Sequence, residues 1–204
     1  MARSSLSLLS GCAFALAAAL AAGAQSSRSD ELQFTSGPLV LDRQTNMMRA
    51  QGPRITQGDL SLVADDALAT GFEFDKAGEF RLTGNVRIEV GSAVMEAASA
   101  VFSFADGRLS RGELEGTPVA FRDFDEQEQT SITGRADRMS YDYVARTLRM
   151  TGDASVRLDN REIMGCDLIY DFAAERVTSG SASCAYRVRI LPESDEQASA
   201  APPQ

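Results

Sequence analysis

Two Tyr-Asp pairs, Tyr141-Asp142 and Tyr170-Asp171, are the first residues with the types for acid–base chemistry. A phenol beside a carboxylate can pass a proton to or from a substrate. Acidic clusters at Asp65-Asp66 and at Asp123, Asp125, Glu126 and Glu128 offer the oxygen ligands that Ca²⁺ takes, without the spacing of a dedicated loop. Cys166 and Cys184 supply thiols. The sequence holds no His. That removes Ser-His-Asp and Cys-His catalysis, and the commonest ligand of zinc, copper and non-heme iron. The Tyr-Asp pairs recur at matching places in two repeats, and an active site is rarely duplicated in this way. They read as structural, and the chain as a non-enzyme with no catalytic residues, metal or cofactor.

The charge balance narrows the partners. Asp and Glu number 29 against 20 Lys and Arg, for a net charge of −9. All of the basic residues but Lys76 are Arg. A nucleic-acid surface needs a basic stripe, so nucleic acid is not expected as a partner. The apolar fraction of 44% is that of a globular chain.

The N-terminus reads as an address. Arg3 is a positive n-region, Leu6 to Leu20 is an uncharged Leu/Ala run, and Ala22-Gly23-Ala24 has the small residues a signal peptidase reads. Residues 1–24 are therefore expected to be a cleaved secretory signal, so the mature protein is expected to be exported. A retained membrane anchor is the alternative. Leu9-Ser10-Gly11-Cys12 also resembles a lipobox, but most of the apolar run follows Cys12. Residues 25–31 read as a short linker, 32–191 as one domain, and 192–204 as a disordered Ala/Pro-rich acidic tail.

The elements that must position these side chains are strands. Apolar residues alternate at Phe80, Leu82; Val86, Ile88, Val90; Ala100, Phe102, Phe104; Val119, Phe121; Met139, Tyr141, Tyr143; Leu148, Met150; Leu168, Tyr170, Phe172; and Tyr186, Val188, Ile190. A period of two with polar residues between is a half-buried antiparallel strand. Leu39, Leu41, Leu60 and Leu62 extend the pattern upstream. Asp42 to Asn46, Asp75 to Gly78 and Ala105-Asp106-Gly107 read as hairpin tips.

The strands repeat. Leu82-Thr83-Gly84-Asn85 matches Met150-Thr151-Gly152-Asp153, and the segment from Gly134 through Asp137 and Tyr141-Asp142 to Tyr143 matches that from Gly165 through Asp167 and Tyr170-Asp171 to Phe172. The glycine that closes each copy lies at Gly84, Gly116, Gly152 and Gly180, a period of about 30 residues that implies a stacked β array.

The ordered series Gly116-Thr117-Pro118-Val119-Ala120-Phe121, Gly134 to Tyr141, Leu148 to Ala154 and Ile163 to Tyr170 resembles the LptA/OstA family of periplasmic lipopolysaccharide-transport proteins. The likeness runs from about Val63 to Ser179. It implies an all-β, stacked antiparallel β-jellyroll or "β-taco" of tandem hairpins. It further implies an apolar groove for the acyl chains of lipid A. Subunits would stack edge to edge with themselves and with the jellyrolls of LptC-like inner-membrane and LptD-like outer-membrane partners, bridging the two membranes. A retained N-terminal helix would instead fit the LptC-like branch. The third possibility is a structural β-repeat protein with no lipid ligand. Strand-like sequence before Val63 reads as an additional repeat.

The residues nearest strand centres, Leu60, Leu62, Ile88, Phe102, Phe121, Tyr143, Met150 and Phe172, are the candidate lipid-binding groove, with plain core packing as the alternative. Small inward Ala98 and Ala100 would leave space between them. Cys166 and Cys184 fall on consecutive expected strands, where a cross-strand disulfide is possible if the register opposes them. The unpaired edges would be near Leu39-Val40-Leu41 and at Tyr186 to Leu191, where Arg187 and Arg189 would alternate outward.

Overall fold

The computed structural model describes residues 31–71, 77–125 and 130–192. The expected signal peptide, most of the expected linker, the expected tail beyond residue 192 and part of the expected tip at Asp75 to Gly78 lie outside them. Every regular element among the described residues is a strand: β1 (Gln33–Thr35), β2 (Leu39–Asp42), β3 (Met47–Gln51), β4 (Arg54–Gln57), β5 (Leu60–Val63), β6 (Asp66–Thr70), β7 (Ala77–Val90), β8 (Ala93–Ala105), β9 (Arg108–Asp125), β10 (Thr130–Asp142), β11 (Thr147–Leu158), β12 (Arg161–Asp171), β13 (Arg176–Ser179) and β14 (Arg187–Ile190). All pairings are antiparallel, and the strands form one hydrogen-bonded sheet. This is the stacked β-jellyroll expected from the sequence.

The long strands β7 to β12 each serve two layers, because each is broken near its middle by a register shift. The first layer holds β1, β4, β5, residues 86–90, 93–97, 119–125, 130–136, 154–158 and 161–165, and β14. The second holds β2, β3, β6, residues 77–83, 99–105, 108–115, 138–142, 147–151 and 167–171, and β13. Extra residues on one strand of a pair bend it, and a row of such bulges folds the sheet over along a single line. Gly84 (φ 74°), Asn85 (φ 45°) and Gly152 (φ 96°) stand on that line in the left-handed region. Glycine adopts that region freely.

The repeated glycines also have a packing role. A Cβ on Gly84, Gly152 or Gly180 would run into the carboxylate of Asp65, Asp137 or Asp167, respectively. Asp65 Oδ2 accepts a hydrogen bond from Asn85 Nδ2 (2.8 Å), and Asp137 Oδ2 accepts one from the Asp153 amide (3.3 Å). The Asp and Gly of neighbouring repeats are thus one device. This accounts for Asp65, read above as a possible metal ligand.

Asp167 is the most buried of the three. Its Oδ1 and Oδ2 accept bonds from Nε (2.8 Å) and Nη2 (2.6 Å) of Arg149 on the adjacent strand. The Arg149 bonds hold its carboxyl below the usual value of 3.8, partly offset by burial. A lowered folded pKa stabilises above the unfolded value and is lost as pH falls through the folded one. Asp167→Asn is therefore expected to cost about 1–3 kcal/mol at pH 7. The gap to wild type should close as pH drops below 3.8. Urea midpoints at pH 7 and pH 3 check this, and a gap that stays constant with pH would contradict it.

The apolar faces of the two layers meet. Leu62, Ile88, Met95 and Phe121 stand in register across the first layer, and Met48, Ala69, Phe80, Phe102 and Tyr141 face them from the second. Phe34 stacks on Phe80 from the opposite layer (5.9 Å), and Phe121 meets Tyr170 at 5.5 Å. Gly112 and Gly134 are where aromatic and thioether side chains press on backbone, the Phe102 ring in one case and Met150 with Phe121 in the other.

Three expectations differ from the structure. Ala98 is exposed, because the bulge beside it in β8 turns it outward. Val188 and Ile190 are exposed rather than inward, because among the described residues β14 pairs only along β12, at the border of its layer. Cys184 lies in the turn between β13 and β14 rather than on a strand. The chain leaves the β12–β13 ladder at Ser179, crosses to the other layer, and in that crossing bonds Cys184 to Cys166, with Cα atoms 5.8 Å apart.

Candidate functional site

Opposite the bend line, the hairpin tips of the two layers leave a mouth. The tips are built by local chemistry. Asp42, Asp142 and Asp171 each end a strand and accept hydrogen bonds from amides two to three residues on. These are Asx turns. The fifth residue of each tip, Asn46, Arg146 or Glu175, then takes positive φ. The Tyr-Asp pairs are explained by this. Asp142 and Asp171 are occupied by their turns. Burial pushes the Tyr141 hydroxyl up to about 12, so it stays protonated near neutral pH and is no base. Among the described residues no group of three or more His, Cys, Asp or Glu could hold a metal.

The eight candidate groove residues divide into two sets. Leu60, Leu62, Ile88, Phe102, Phe121 and Met150 lie in the interior between the layers, Phe121 being the most accessible at 3%. Tyr143 and Phe172 are half-buried against that core at the mouth. The interior runs the length of the array. Phe121 links it to the mouth through an edge contact with Phe172 (5.7 Å), which also meets Tyr141 and Tyr170. Ala100 is buried in the second layer.

Polar groups cross the mouth. Tyr143 Oη, from the second layer, donates to Asp59 Oδ1 in the β4–β5 turn (3.1 Å). Tyr170 Oη donates to Asp123 Oδ2 on β9 (3.3 Å), and Ser92 Oγ donates to the other oxygen of Asp123 (2.6 Å). The Gln57 amide spans the same opening: its Nε2 donates to Gly107 O (2.7 Å) and its Oε1 accepts from Leu109 N (3.0 Å). Gln57, Arg108, Leu109, Tyr143 and Val144 line a recess of about 270 Å³ there. A larger hollow of about 500 Å³ lies between Val40, Arg49, Leu68 and Arg81.

Asp59 and Gln57 carried no sequence signal, since their partners are 50 to 84 residues away along the chain. Asp123 was legible only as part of an acidic run.

The open edges lie where the sequence placed them, but each end of the array has two. β1 and β2 border the two layers at one end, and β14 and β13 at the other. Leu39, Val40, Leu41, Val188 and Ile190 are exposed on these edges. No helix among the described residues is long and apolar enough to cross a membrane.

Comparison with known proteins agrees with the resemblance read from the residues. Among solved structures, the chain is similar to LptH from Pseudomonas aeruginosa, described as the LptA homologous periplasmic component of the conserved lipopolysaccharide transport device. The identity is 12%, over 82% of this chain and 99% of that one, with a TM-score of 0.49. Curated protein sequences give no match. Residues 69–176, more than half of the chain, match the family model described as LptA/(LptD N-terminal domain) LPS transport protein. The chain, a bent antiparallel sheet with an apolar interior, belongs to that LptA/(LptD N-terminal domain) family.

Proposed function

We propose that this protein carries lipopolysaccharide through the periplasm, holding acyl chains of lipid A between its two layers. It does no covalent chemistry. The observation that carries this reading is the apolar interior, continuous along the array and reached at the mouth through the half-buried rings of Tyr143 and Phe172. Acyl chains need only apolar lining. Each buried methylene is worth roughly 0.8 kcal/mol, so a dozen supply a gross ~8–10 kcal/mol before ordering costs. A net charge of −9 does not oppose this, because phosphate groups at the mouth stay in water or are bridged by cations.

In this reading the open edges join subunits. β14 of one copy would extend toward β1 of the next, and β13 toward β2, continuing both layers. Such head-to-tail pairing does not close on itself and would form a bridge. The same edges would take LptC-like and LptD-like jellyrolls at the two membranes.

A second reading, a β-repeat scaffold without lipid, is favoured by the burial of six of the eight candidates in the interior. A photoreactive residue at Phe121 or Phe172 separates the two. The transport reading expects a lipopolysaccharide crosslink from both, and none from outward Arg122. No crosslink at either site, from protein shown to be folded, would leave the scaffold reading.

A further inference from the structure

We propose that the hydrogen bonds across the mouth form a latch that holds the layers together and must part before an acyl chain enters. The Tyr143 and Tyr170 hydroxyls would thereby set the rate of lipid entry. This rests on the transport reading and assigns residues that control its site.

The layers cannot separate at the bend line, because the chain of each long strand runs through the bulge from one layer into the other and neighbouring strands stay hydrogen-bonded on both sides of it. Any opening must come at the mouth. Two kinds of contact hold it closed. The apolar ones, such as Phe121 against Tyr170 and Phe172, are replaced in kind when a methylene chain slides between them. The polar ones are not replaced in kind. An acyl chain offers neither donor nor acceptor to Asp59, Asp123 or Gln57. Their bonds to Tyr143, Tyr170, Gly107 and Leu109 must be exchanged for water.

Position makes that exchange feasible. The Tyr143–Asp59 bond is exposed and the Tyr170–Asp123 bond only part-buried, so water takes over the freed groups without leaving a buried charge. The latch is therefore strong enough to bias the closed state and weak enough to open. Its members come from both ends of the mouth, Asp59 and Gln57 beside the N-terminal strands and Tyr170 beside the C-terminal ones, so parting one pair alone leaves the rest of the opening held.

The test is the double variant Tyr143→Phe/Tyr170→Phe, which removes both hydroxyls and keeps both rings. Two readouts are needed. The first uses no lipid: hydrogen exchange at the Leu109 amide, which is bonded to Gln57 across the mouth. It is expected to quicken about tenfold, while the Gly52 amide, bonded to Asp65 O at the bend line (2.7 Å), keeps its rate. The second is stopped-flow uptake of fluorescent lipid A. Association is expected about tenfold faster, with an apparent dissociation constant about tenfold lower, because more of the protein is open before binding. Unchanged exchange at Leu109, or equal acceleration at Leu109 and Gly52, overturns the latch. So does lipid A uptake by both proteins with the variant no faster than wild type. If Leu109 responds alone and neither protein takes up lipid A, the mouth bonds do latch the layers and the transport reading is what fails.

Discussion

Phe80→Ala is expected to lower the unfolding free energy by about 3–5 kcal/mol. That corresponds to a drop in Tm of roughly 10 °C for a chain of this size. Phe80 is fully buried in the second layer. It stacks on Phe34 of the first layer and meets the edge of Phe104 at 5.0 Å. Its ring is therefore both core volume and a tie between the layers, at the end where the strands are shortest. The neighbours are held by ladders on both sides, so they cannot collapse into the vacated space, and the cavity adds to the lost transfer energy. Phe124→Ala is the control. That ring is 44% exposed, and its loss is expected to cost under about 1 kcal/mol. Thermal unfolding of the two variants checks the contrast. Equal shifts would mean that the interior is loosely packed and that Phe80 does not tie the layers.

The paired variant Cys166→Ser/Cys184→Ser is expected to cost about 3 kcal/mol, the chain-entropy value for closing a loop of 18 residues. The bond fixes the crossing between β13 and β14, which border different layers. Tyr186 holds the same crossing without it. Its hydroxyl donates to Asp167 O or Ser181 O, at 3.0 and 2.7 Å, and its ring covers Gly165. The variant should therefore still fold, with β14 the first element to fray. β14 has four residue pairs with β12 and, among the described residues, no strand on its other side. Reductant is expected to lower the wild-type Tm by about 6–10 °C and leave the variant unchanged. Amide exchange should localise the loss to residues 187–190. A loss spread evenly over the array would show that the crossing is part of the cooperative core.

Much of the mouth was not legible in the sequence. The groove candidates were chosen as inward residues near strand centres. Six are buried between the layers, whereas Tyr143 and Phe172 stand one residue past the ends of β10 and β12 and are half-buried at the mouth. Gln57 and Asp59 looked like any polar tip. Their role exists only because the first-layer tips close against the second-layer tips.

The sequence by itself determined the element type, the repeat and the family. Alternation of apolar and polar residues has a period of two only in a strand, and Asp and Gly recurring at fixed places mark turns and bulges wherever they fall. The tertiary structure alone decided which residues face inward on either side of each bulge. In β7 the step from Thr83 to Val86 keeps the parity, so Leu82 and Val86 both face in. Opposite it, β8 spends one residue fewer, so its inward set changes from Met95 to Ala100 and leaves Ala98 outside. β10 makes the same change between Ala136 and Met139. A bulge is a property of a pair of strands, since the extra residue is extra only relative to its partner. No periodicity within one segment can reveal it, and the direction of every side chain beyond the bend follows from it.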